Sequence, residues 1–451
     1  MIIHKNDNVE VDLETGHKTA LTEILPGSPV IKYGYPIGVA TSLIRAGEPV
    51  HTHNLKTALT GKCEYRYAPE KSSLPRLPEW TFEGYLRADG SAGIRNEIWI
   101  IPTVGCVNGV AKTLARLTGA VPLTHPFGCS QLGGDLETTR RILRGLSQNP
   151  NAAGVLILGL GCENNQIGVF RDFLGAADPD RVKFLNCQDL GDEIAEGMRL
   201  IAELSSYRDT FSRRKISISK LHVGLKCGGS DGLSGITANP MVGRFTDRLV
   251  SHGGSAVMTE VPEMFGAETI LLRRAQNRSV FDKTVSMING FKEYFLSHGQ
   301  EIYENPSPGN IAGGITTLEE KSLGCVTKGG QAPVTDVLSF GEQARKPGLS
   351  LLYGPGNDLV ACTNLAASGC QIILFTTGRG TPLGSVVPTV KISTNTRLSD
   401  QKKTWIDFDA ESGTDEEFDR LVFDVIGENT LAKNERNGYR EISIFKEGVI
   451  L

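Results

Sequence analysis

The sequence predicts an α/β protein in which a small amino-terminal β domain precedes two α/β regions with mainly parallel sheets. Two contrasting patterns lead to this prediction. Residues 1 to about 67 hold short alternating segments separated by turns, whereas from Gly84 onward apolar strand-like segments alternate with helix-like ones. Between the two patterns, residues 68–82 contain three prolines and a Ser-Ser pair, which is the composition of a linker.

The elements of each region follow from local patterns. In residues 1–67 the predicted strands are Lys18–Ile24, Pro29–Tyr33, Ile37–Ala40 and Val50–His53. In residues 83–215 the predicted strands are Ile98–Val104, Val121–Thr124, Gly154–Leu160 and Lys183–Leu185, and the helices are Gly109–Leu117, Leu136–Leu146 and Leu190–Leu204. The charged segment Phe211–Lys220 marks the next boundary.

The pattern then restarts in residues 216–451. The predicted strands there are Leu221–Leu225, Ala256–Thr259, Leu349–Tyr353, Ile372–Phe375 and Val387–Ile392, with a helix over Val242–Ser251. Glu416–Ile426 and Ile442–Phe445 close the chain. Repeated strand–helix units of this kind favour parallel sheets covered by helices on both faces.

Composition excludes several classes of function. With 451 residues the chain is long enough for two or three domains, and a formal charge of −4 gives no basic surface for nucleic acid. The longest apolar runs are too short to cross a bilayer, and the amino terminus lacks a signal-peptide core. The nine cysteines are dispersed, without a CxxC pair, as in reduced intracellular proteins. We therefore expect a soluble, cytoplasmic protein with no membrane partner.

Four cysteines directly follow apolar segments, at the strand ends that form the binding crevice of a parallel sheet. They are Cys106, Cys129, Cys162 and Cys227. Thiolates bind iron well, and three of them with one open position suit a Lewis-acid iron cluster. The alternative is that they are small, buried, inert thiols beneath tight turns. Asn108, Glu163, Ser230 and Asp231 would add polar groups to the same rim.

His51 and His53 are two residues apart, so in an extended strand both would project from one face, about 6–7 Å apart. Both could then reach one metal ion. The alternative is an exposed edge strand with two solvated histidines.

Two glycine-rich loops resemble anion-binding turns, because glycine allows a ligand to approach backbone N–H groups closely. One runs from Lys226 to Pro240, and the other, Thr376–Gly380, contains Arg379. Either could instead be a structural turn. Together with Arg87 and Arg95 they indicate a small, acidic, hydroxyl-rich substrate. The acid and base candidates are Lys226, His125 and Glu163.

Longer motifs resemble the altronate/galactarate dehydratase family. The residues 16–18, 31–34, 36–38 and 51–54 resemble its amino-terminal SAF, or β-clip, domain. The residues 84–90, 93–96, 159–163, 227–231 and 305–310 resemble its catalytic region. The resemblance covers nearly the whole chain and implies a β-clip domain followed by two Rossmann-like regions. Only six residues separate Val9 from Gly16, fewer than is usual in the family, so we expect a shortened β-hairpin there.

The resemblance also implies an activity: removal of water from D-altronate to give 2-dehydro-3-deoxy-D-gluconate, with ferrous iron or manganese as activator. The cysteines leave an iron–sulfur cluster as the alternative cofactor. Such chemistry needs a base for the proton on carbon 2, a cation for the enediolate and an acid for the departing hydroxyl. We expect iron between the histidine pair and the cysteine-lined crevice, Arg87, Ser230 and Asp231 on the substrate, and Lys226 as the base.

Three alternatives stay open at this point. The same scaffold could act on galactarate, could be a sulfolactate sulfo-lyase, or could bind a sugar acid without catalysis. Whether copies assemble into a homo-oligomer also stays open.

Overall fold

The computed structural model describes residues 1–71 and 74–448. The predicted α/β class is confirmed: small antiparallel sheets at the amino terminus are followed by two parallel sheets flanked by helices. The Ser-Ser pair of the predicted linker and the last three residues of the predicted region 216–451 lie outside the described residues. The predicted boundaries between regions stay predictions. No helix in the described ranges is both long and apolar enough to span a bilayer.

The amino-terminal β unit consists of two three-stranded antiparallel sheets, β1–β2–β5 and β3–β4–β6. Its strands are β1 (Val9–Val11), β2 (Lys18–Ala20), β3 (Pro29–Lys32), β4 (Tyr35–Ala40), β5 (Pro49–Val50) and β6 (Leu55–Lys56). Tyr33 and Gly34 join β3 to β4, and both have positive φ (61° and 77°). A two-residue hairpin loop of this conformation matches the right-handed twist of the strands it connects.

The next region is built on a four-stranded parallel sheet in the order β10–β9–β11–β12. Its elements are β7 (Thr81–Leu86), β8 (Ala92–Gly93), β9 (Glu97–Pro102), α1 (Asn108–Thr118), β10 (Val121–Pro122), α2 (Gly133–Gln148), β11 (Ala152–Gly159), α3 (Ile167–Leu174), β12 (Val182–Asn186), α4 (Glu193–Arg208) and β13 (Arg214–Ser217). Strand β13 pairs antiparallel with β7, so the charged segment that follows α4 contains a strand.

The last region is built on a seven-stranded parallel sheet in the order β16–β17–β15–β14–β18–β19–β20. Its first elements are β14 (His222–Cys227), α5 (Ala238–Ser251), β15 (Ser255–Met258), α6 (Glu268–Arg273), α7 (Arg278–Ser297), α8 (Pro308–Ala312) and α9 (Leu318–Val326). The others are β16 (Val334–Leu338), β17 (Gly348–Leu352), α10 (Asp358–Ala367), β18 (Ile372–Thr377), β19 (Thr389–Ser393), α11 (Thr396–Gln401), β20 (Phe408–Asp409), α12 (Asp415–Ile426) and α13 (Lys433–Arg436). The central strands β15, β17, β18 and β19 are buried along their whole length, as expected for a sheet covered on both faces.

Buried charge anchors the amino-terminal β unit to α9. The Glu320 carboxylate accepts hydrogen bonds from Lys18 Nζ (2.9 Å) and Lys32 Nζ (2.8 Å), and all three side chains are buried. Close by, a Cβ on Gly232 would lie 2.0 Å from the carbonyl oxygen of Gly16, so glycine is required for the two backbones to meet. The β unit therefore covers the loop that follows β14.

Candidate functional site

The strand order of the large sheet places a crevice between β14 and β18. From β14 the chain goes to β15 on one side, and it returns at β18 on the other side. In open α/β sheets, ligands bind beyond the carboxyl ends of the strands where the order reverses in this way. The two loops that leave this point are the glycine-rich loops predicted from the sequence, after Cys227 and after Thr377.

A polar groove of about 770 Å³ opens at this crevice, within the size range of small-ligand sites. Its lining comes from the β1–β2 loop and from the large sheet, and includes Leu13, Glu14, Thr15, Asp231, Gly313, Gly378, Arg379, Asn395, Arg397 and Glu411. Arg379 and Arg397 are exposed, and within the described residues neither guanidinium has a hydrogen bond or an ion pair. Two unpaired guanidinium groups in one groove can bind a carboxylate.

Asp231 forms the buried end of the groove. Its carboxylate accepts hydrogen bonds from Thr394 Oγ1 (2.8 Å), Ser234 Oγ (3.0 Å) and Asn395 Nδ2 (3.3 Å). Burial raises the pKa of Asp231 above its usual value, although these hydrogen bonds oppose the shift. The neighbouring Ser230 Oγ is buried without a hydrogen-bond partner in the described structure, so it is available to a ligand.

Beneath the groove lies a group of buried side chains that we call the lysine–thiol cluster. It consists of Lys226, Cys227, Glu260, Glu263, Lys321, Cys325 and Lys328. The end of β14 supplies the first two, the turn after β15 supplies the glutamates, and α9 with the turn that follows it supplies the rest. Lys321 and Cys325 are four residues apart on α9 and so share one face.

The backbone of the cluster is unusual at Glu260, which has a φ of +73°. For a residue other than glycine this conformation is strained by about 1–3 kcal/mol. Glu260 is held there by Lys226, with which it forms a buried ion pair, and by the backbone N–H of Cys227 (3.1 Å). Strain of this kind concentrates at functional sites.

Charge within the cluster fixes the protonation of its members. Burial disfavours charge on Lys226, but the carboxylates of Glu260 and Asp358 outweigh it and hold the pKa of Lys226 well above its usual value. Burial likewise opposes ionisation of Glu263, but the ammonium groups of Lys321 and Lys226 outweigh it and hold its pKa below the usual range. Lys226 is therefore an ammonium group near neutral pH, whereas a general base must first be neutral.

Three members of the cluster could hold a metal ion. One ligand atom each of Cys227, Glu263 and Cys325 lies within 4.8 Å of the other two. The two sulfur atoms are 3.2 Å apart, and each lies close to Glu263 Oε2, at 3.1 Å and 3.0 Å. Two soft sulfurs with one carboxylate suit iron better than manganese, which prefers oxygen.

The histidine pair does not lie on an extended strand. Residues 51–54 form a turn between β5 and β6, so the expected projection of His51 and His53 from one strand face is wrong. The side chain of Asn54 causes this turn, because its Oδ1 accepts from the backbone N–H of His51 (2.9 Å). His53 is exposed, whereas the His51 ring lies 5.5 Å from that of His17 and its Nε2 donates to the carbonyl of Ile311 (3.2 Å).

Other predicted site residues lie in the four-stranded region. Arg87 is buried and donates to the carbonyls of Pro150 and Arg95 and to the side chain of Asn96. Its hydrogen bonds within the protein are those of a structural residue. His125 is buried between the Pro102 carbonyl and the Phe127 N–H, and burial lowers its pKa to about 4. Asn108 Nδ2 donates to the carbonyl of His125 (2.8 Å).

Glu163 lies at the end of β11, where its carboxylate accepts from Thr103 Oγ1 (2.6 Å) and from the N–H of Gly161 (2.6 Å). Burial opposes its ionisation, but these hydrogen bonds hold its pKa below the usual value. The carboxylate oxygens of Glu163 therefore already accept hydrogen bonds from donors within the protein.

The predicted metal ligands are divided among three places. Cys227 belongs to the lysine–thiol cluster, His51 and His53 to the β unit, and Cys106, Cys129 and Cys162 to loops of the four-stranded sheet. Their roles as ligands stay predictions. The sequence analysis did not identify Glu260, Glu263, Lys321, Cys325, Lys328, Asn395 and Arg397. Cys325 and Lys321 lie within a helix rather than after a strand, so the strand-end criterion could not find them.

Three family models together match almost the whole chain. They are the altronate/galactarate dehydratase SAF domain over residues 2–58, the second domain of D-galactarate dehydratase/altronate hydrolase over residues 84–208, and the carboxyl-terminal domain of D-galactarate/altronate dehydratase over residues 218–450.

Individual relatives agree with these matches. The chain is 51% identical to the altronate dehydratase of Bacillus subtilis (strain 168) and 50% identical to that of Escherichia coli (strain K12), in each case over 98% of this chain and 93% of the relative. It is 34% identical to the galactarate dehydratase (L-threo-forming) of Escherichia coli (strain K12), over 88% of this chain and 81% of that relative.

Proposed function

Because the chain belongs to the altronate/galactarate dehydratase family, we propose that it is a hydro-lyase that removes water from D-altronate and forms 2-dehydro-3-deoxy-D-gluconate. The observation that carries this proposal is the polar groove, which two unpaired guanidinium groups and the half-buried carboxylate of Asp231 line at the strand-order reversal of the large sheet. The identity to altronate dehydratases, 50–51%, exceeds the 34% identity to galactarate dehydratase, which favours altronate as the substrate.

The groove residues would bind and orient the sugar acid. Arg379 and Arg397 bind the substrate carboxylate, because a planar guanidinium donates two parallel hydrogen bonds to it. The Asp231 carboxylate accepts hydrogen bonds from the substrate hydroxyl groups, and the Asn395 amide nitrogen donates to them. Ser230 Oγ supplies a further donor. The amino-terminal β unit closes one wall through residues 13–15 and excludes water from that side.

His51 is our candidate for the base that takes the proton from carbon 2. Burial lowers the pKa of His51 below its usual value, so the ring is neutral near pH 7. Its Nε2 is occupied by the carbonyl of Ile311, next to the groove residue Ala312, which leaves Nδ1, bonded to Thr52 Oγ1 (3.1 Å), as the basic nitrogen. Lys226 would hold its proton and act as a source of positive charge.

Ferrous iron fits the donors of the lysine–thiol cluster. Cys227, Glu263 and Cys325 would hold it, and it would supply positive charge that stabilises an enediolate. Lys226, Lys321 and Lys328 form ion pairs with Glu260, Glu263 and Asp358, so three basic and three acidic side chains adjoin these donors.

The test is an anaerobic assay of the purified chain with ferrous iron against D-altronate, galactarate and sulfolactate, read as 2-keto acid or sulfite formed. We expect 2-keto acid from D-altronate and at least tenfold less product from the other two, a difference of about 1.4 kcal/mol in transition-state binding. Higher turnover of galactarate or sulfolactate would identify that compound as the substrate instead of D-altronate. Binding of D-altronate without turnover would identify a non-catalytic binding protein.

Substitutions then test the groove itself. Arg379→Gln and Arg397→Gln should each raise KM for D-altronate, since each removes a charged partner of the carboxylate worth roughly 1.5–3 kcal/mol. Arg116→Gln is the matched control, because Arg116 is an exposed residue of α1 on the other sheet. Equal KM values for all three variants and the unmodified chain would show that the substrate does not bind in this groove.

A further inference from the structure

Each strand of the four-stranded sheet is followed by a cysteine at its carboxyl end. Cys106 follows β9, Cys129 follows β10, Cys162 follows β11, and Cys187 directly follows the last residue of β12. The first three are exposed and the fourth is half-buried. The strand-end pattern in the sequence predicts three of these together with Cys227, which belongs to the large sheet, and it does not predict Cys187.

The register of the sheet brings the four loops to one level. Pro102 of β9 is the partner of Leu158 of β11, and Cys106 and Cys162 lie four residues beyond these two positions. Gly159 is the partner of Asn186, which places Cys187 level with Leu160, and the N–H of Gln188 donates to the Leu160 carbonyl (2.9 Å). Adjacent strands are about 4.8 Å apart, so neighbouring loops are close enough to share one ligand.

The loop that carries Cys129 bends back to join the others. The N–H of Gly105 donates to the carbonyl of Phe127 (2.9 Å), which ties this loop to the turn of Cys106. The N–H of Ser130 donates to Asn164 Oδ1 (2.7 Å), which ties it to the loop of Cys162. Gln188 Nε2 lies 3.6 Å from Cys162 Sγ, so the loops of Cys162 and Cys187 are also in contact.

Unsatisfied polar atoms lie in the same loops. Among the described residues, the buried side-chain atoms without a partner include Asn108 Oδ1, Gln131 Nε2 and Asn186 Oδ1, each within two residues of one of the cysteines. Gln131 is only 2% exposed. Helices α1, α2 and α3 also begin at this edge, and none of the three has a side-chain cap. Of these three atoms only Gln131 Nε2 is a donor, and together with the helix N-termini it favours an anionic ligand, whereas the two amide oxygens can only accept hydrogen bonds.

The sulfurs of these cysteines are spaced more widely than the ligands of a single metal ion. In a tetrahedral zinc site with Zn–S bonds of about 2.3 Å the sulfurs lie roughly 3.8 Å apart. In the part of the chain that the structure describes, no three of these four sulfurs lie within 4.8 Å of one another. An iron–sulfur cluster holds its thiolates further apart than a single ion does, and its inorganic sulfides accept hydrogen bonds from donors such as Gln131 Nε2.

We propose that Cys106, Cys129, Cys162 and Cys187 bind an iron–sulfur cluster, assembled from ferrous and ferric iron and inorganic sulfide, at the carboxyl edge of the four-stranded sheet. This site is on a different sheet from the polar groove, and it does not rest on the proposed dehydratase activity.

The test is the iron and acid-labile sulfide content of the full chain after anaerobic reconstitution with ferrous and ferric iron and sulfide. We expect the unmodified chain to hold both, with a visible absorption band. Four single substitutions test the ligands: Cys106→Ser, Cys129→Ser, Cys162→Ser and Cys187→Ser. Each should lower the sulfide content roughly tenfold or more, since loss of a ligand is at least as severe as loss of a supporting contact. Cys63→Ser, which removes another exposed thiol, should leave it unchanged.

Two further readouts make the result decisive. Before reconstitution, thermal unfolding should be similar in the four variants, because three of the cysteines are exposed and Cys187 is only half-buried. Reconstitution should protect these four thiols from alkylation. Iron bound without sulfide, sulfide content unaffected by the four substitutions, or loss of sulfide in Cys63→Ser would each overturn the proposal. Cys325→Ser should lower iron but not sulfide, which separates this site from the lysine–thiol cluster.

Discussion

The anchoring of the amino-terminal β unit by Glu320 can be tested with one neutral substitution. Glu320→Gln keeps the size of the side chain but removes the charge that faces Lys18 and Lys32. The carboxylate also accepts from the N–H and Oγ1 of Thr316, at 2.9 Å and 2.8 Å, so all of its acceptor positions are used. The variant leaves two buried ammonium groups without a counter-charge.

The structure sets the magnitude and an internal comparison. Removal of one partner from a buried ion pair costs about 3–5 kcal/mol. Burial and the neighbouring ammonium group of Lys32 lower the pKa of Lys18 to about 8, against the opposing effect of Glu320. Lys18→Met leaves a balanced Glu320–Lys32 pair and removes the hydrogen bonds of Lys18 to Glu320 and to the Gly314 carbonyl, so at about 1 kcal/mol for each bond it should cost about 2 kcal/mol.

The assay is urea denaturation followed by circular dichroism, with the rate of tryptic cleavage within residues 59–80 as the measure of undocking. That segment contains no helix or strand in its described part and holds Arg66, Lys71 and Arg76 as cleavage sites. Glu320→Gln should unfold at lower urea and be cleaved faster, while the exposed Glu23→Gln should match the unmodified chain. Equal stabilities of Glu320→Gln and Glu23→Gln, or a greater loss in Lys18→Met, would refute the reasoning.

Three further outcomes are expected. After loading with ferrous iron alone, without sulfide, Cys325→Ser should hold much less iron than the unmodified chain by elemental analysis, because it removes one of three buried ligands; an equal iron content would exclude the lysine–thiol cluster as the metal site. His51→Gln should lower kcat with little change in KM and abolish the acidic limb of the pH–rate profile, whereas an unaltered profile would exclude His51 as the base. Because burial lowers the pKa of His125 to about 4, the unfolded chain binds more protons between pH 6.5 and 4, and stability falls by about 3 kcal/mol as pH drops through that window. His125→Gln should flatten this slope in urea titrations and His53→Gln should not, and a slope shared by both would contradict the assignment.

Much of the fold was predictable because its parallel strands are buried on both faces. The predicted strand Ile372–Phe375 is observed as Ile372–Thr377, and the predicted helix Val242–Ser251 lies within the observed α5, Ala238–Ser251. Such segments show strong hydrophobic patterns that local reading detects. Helix α9 shows no such pattern, since it is enclosed on every side and carries charged residues inward.

Residues of the candidate site could be predicted where they lie in loops with a local sequence signature. They could not be predicted where tertiary contacts determine their environment. Asp231 and Arg379 lie in glycine-rich turns at the ends of strands, so local sequence identified them. The environment of Arg87 depends on the carbonyls of Pro150 and Arg95, which no local pattern reveals. The pairing of Cys227 with Cys325 joins residues 98 positions apart, and only the path of the chain determines it.

Helix α9 limits how this protein can change over generations. All nine of its residues are buried, and three consecutive ones contact different parts of the molecule: Glu319 accepts from Thr57, Glu320 from Lys18 and Lys32, and Lys321 pairs with Glu263. A recombination event that exchanged the amino-terminal unit for that of a distant relative would therefore have to replace residues 319 and 320 in the same step. The amino-terminal β unit is contiguous in the sequence, but its contacts with α9 prevent its exchange as an independent unit.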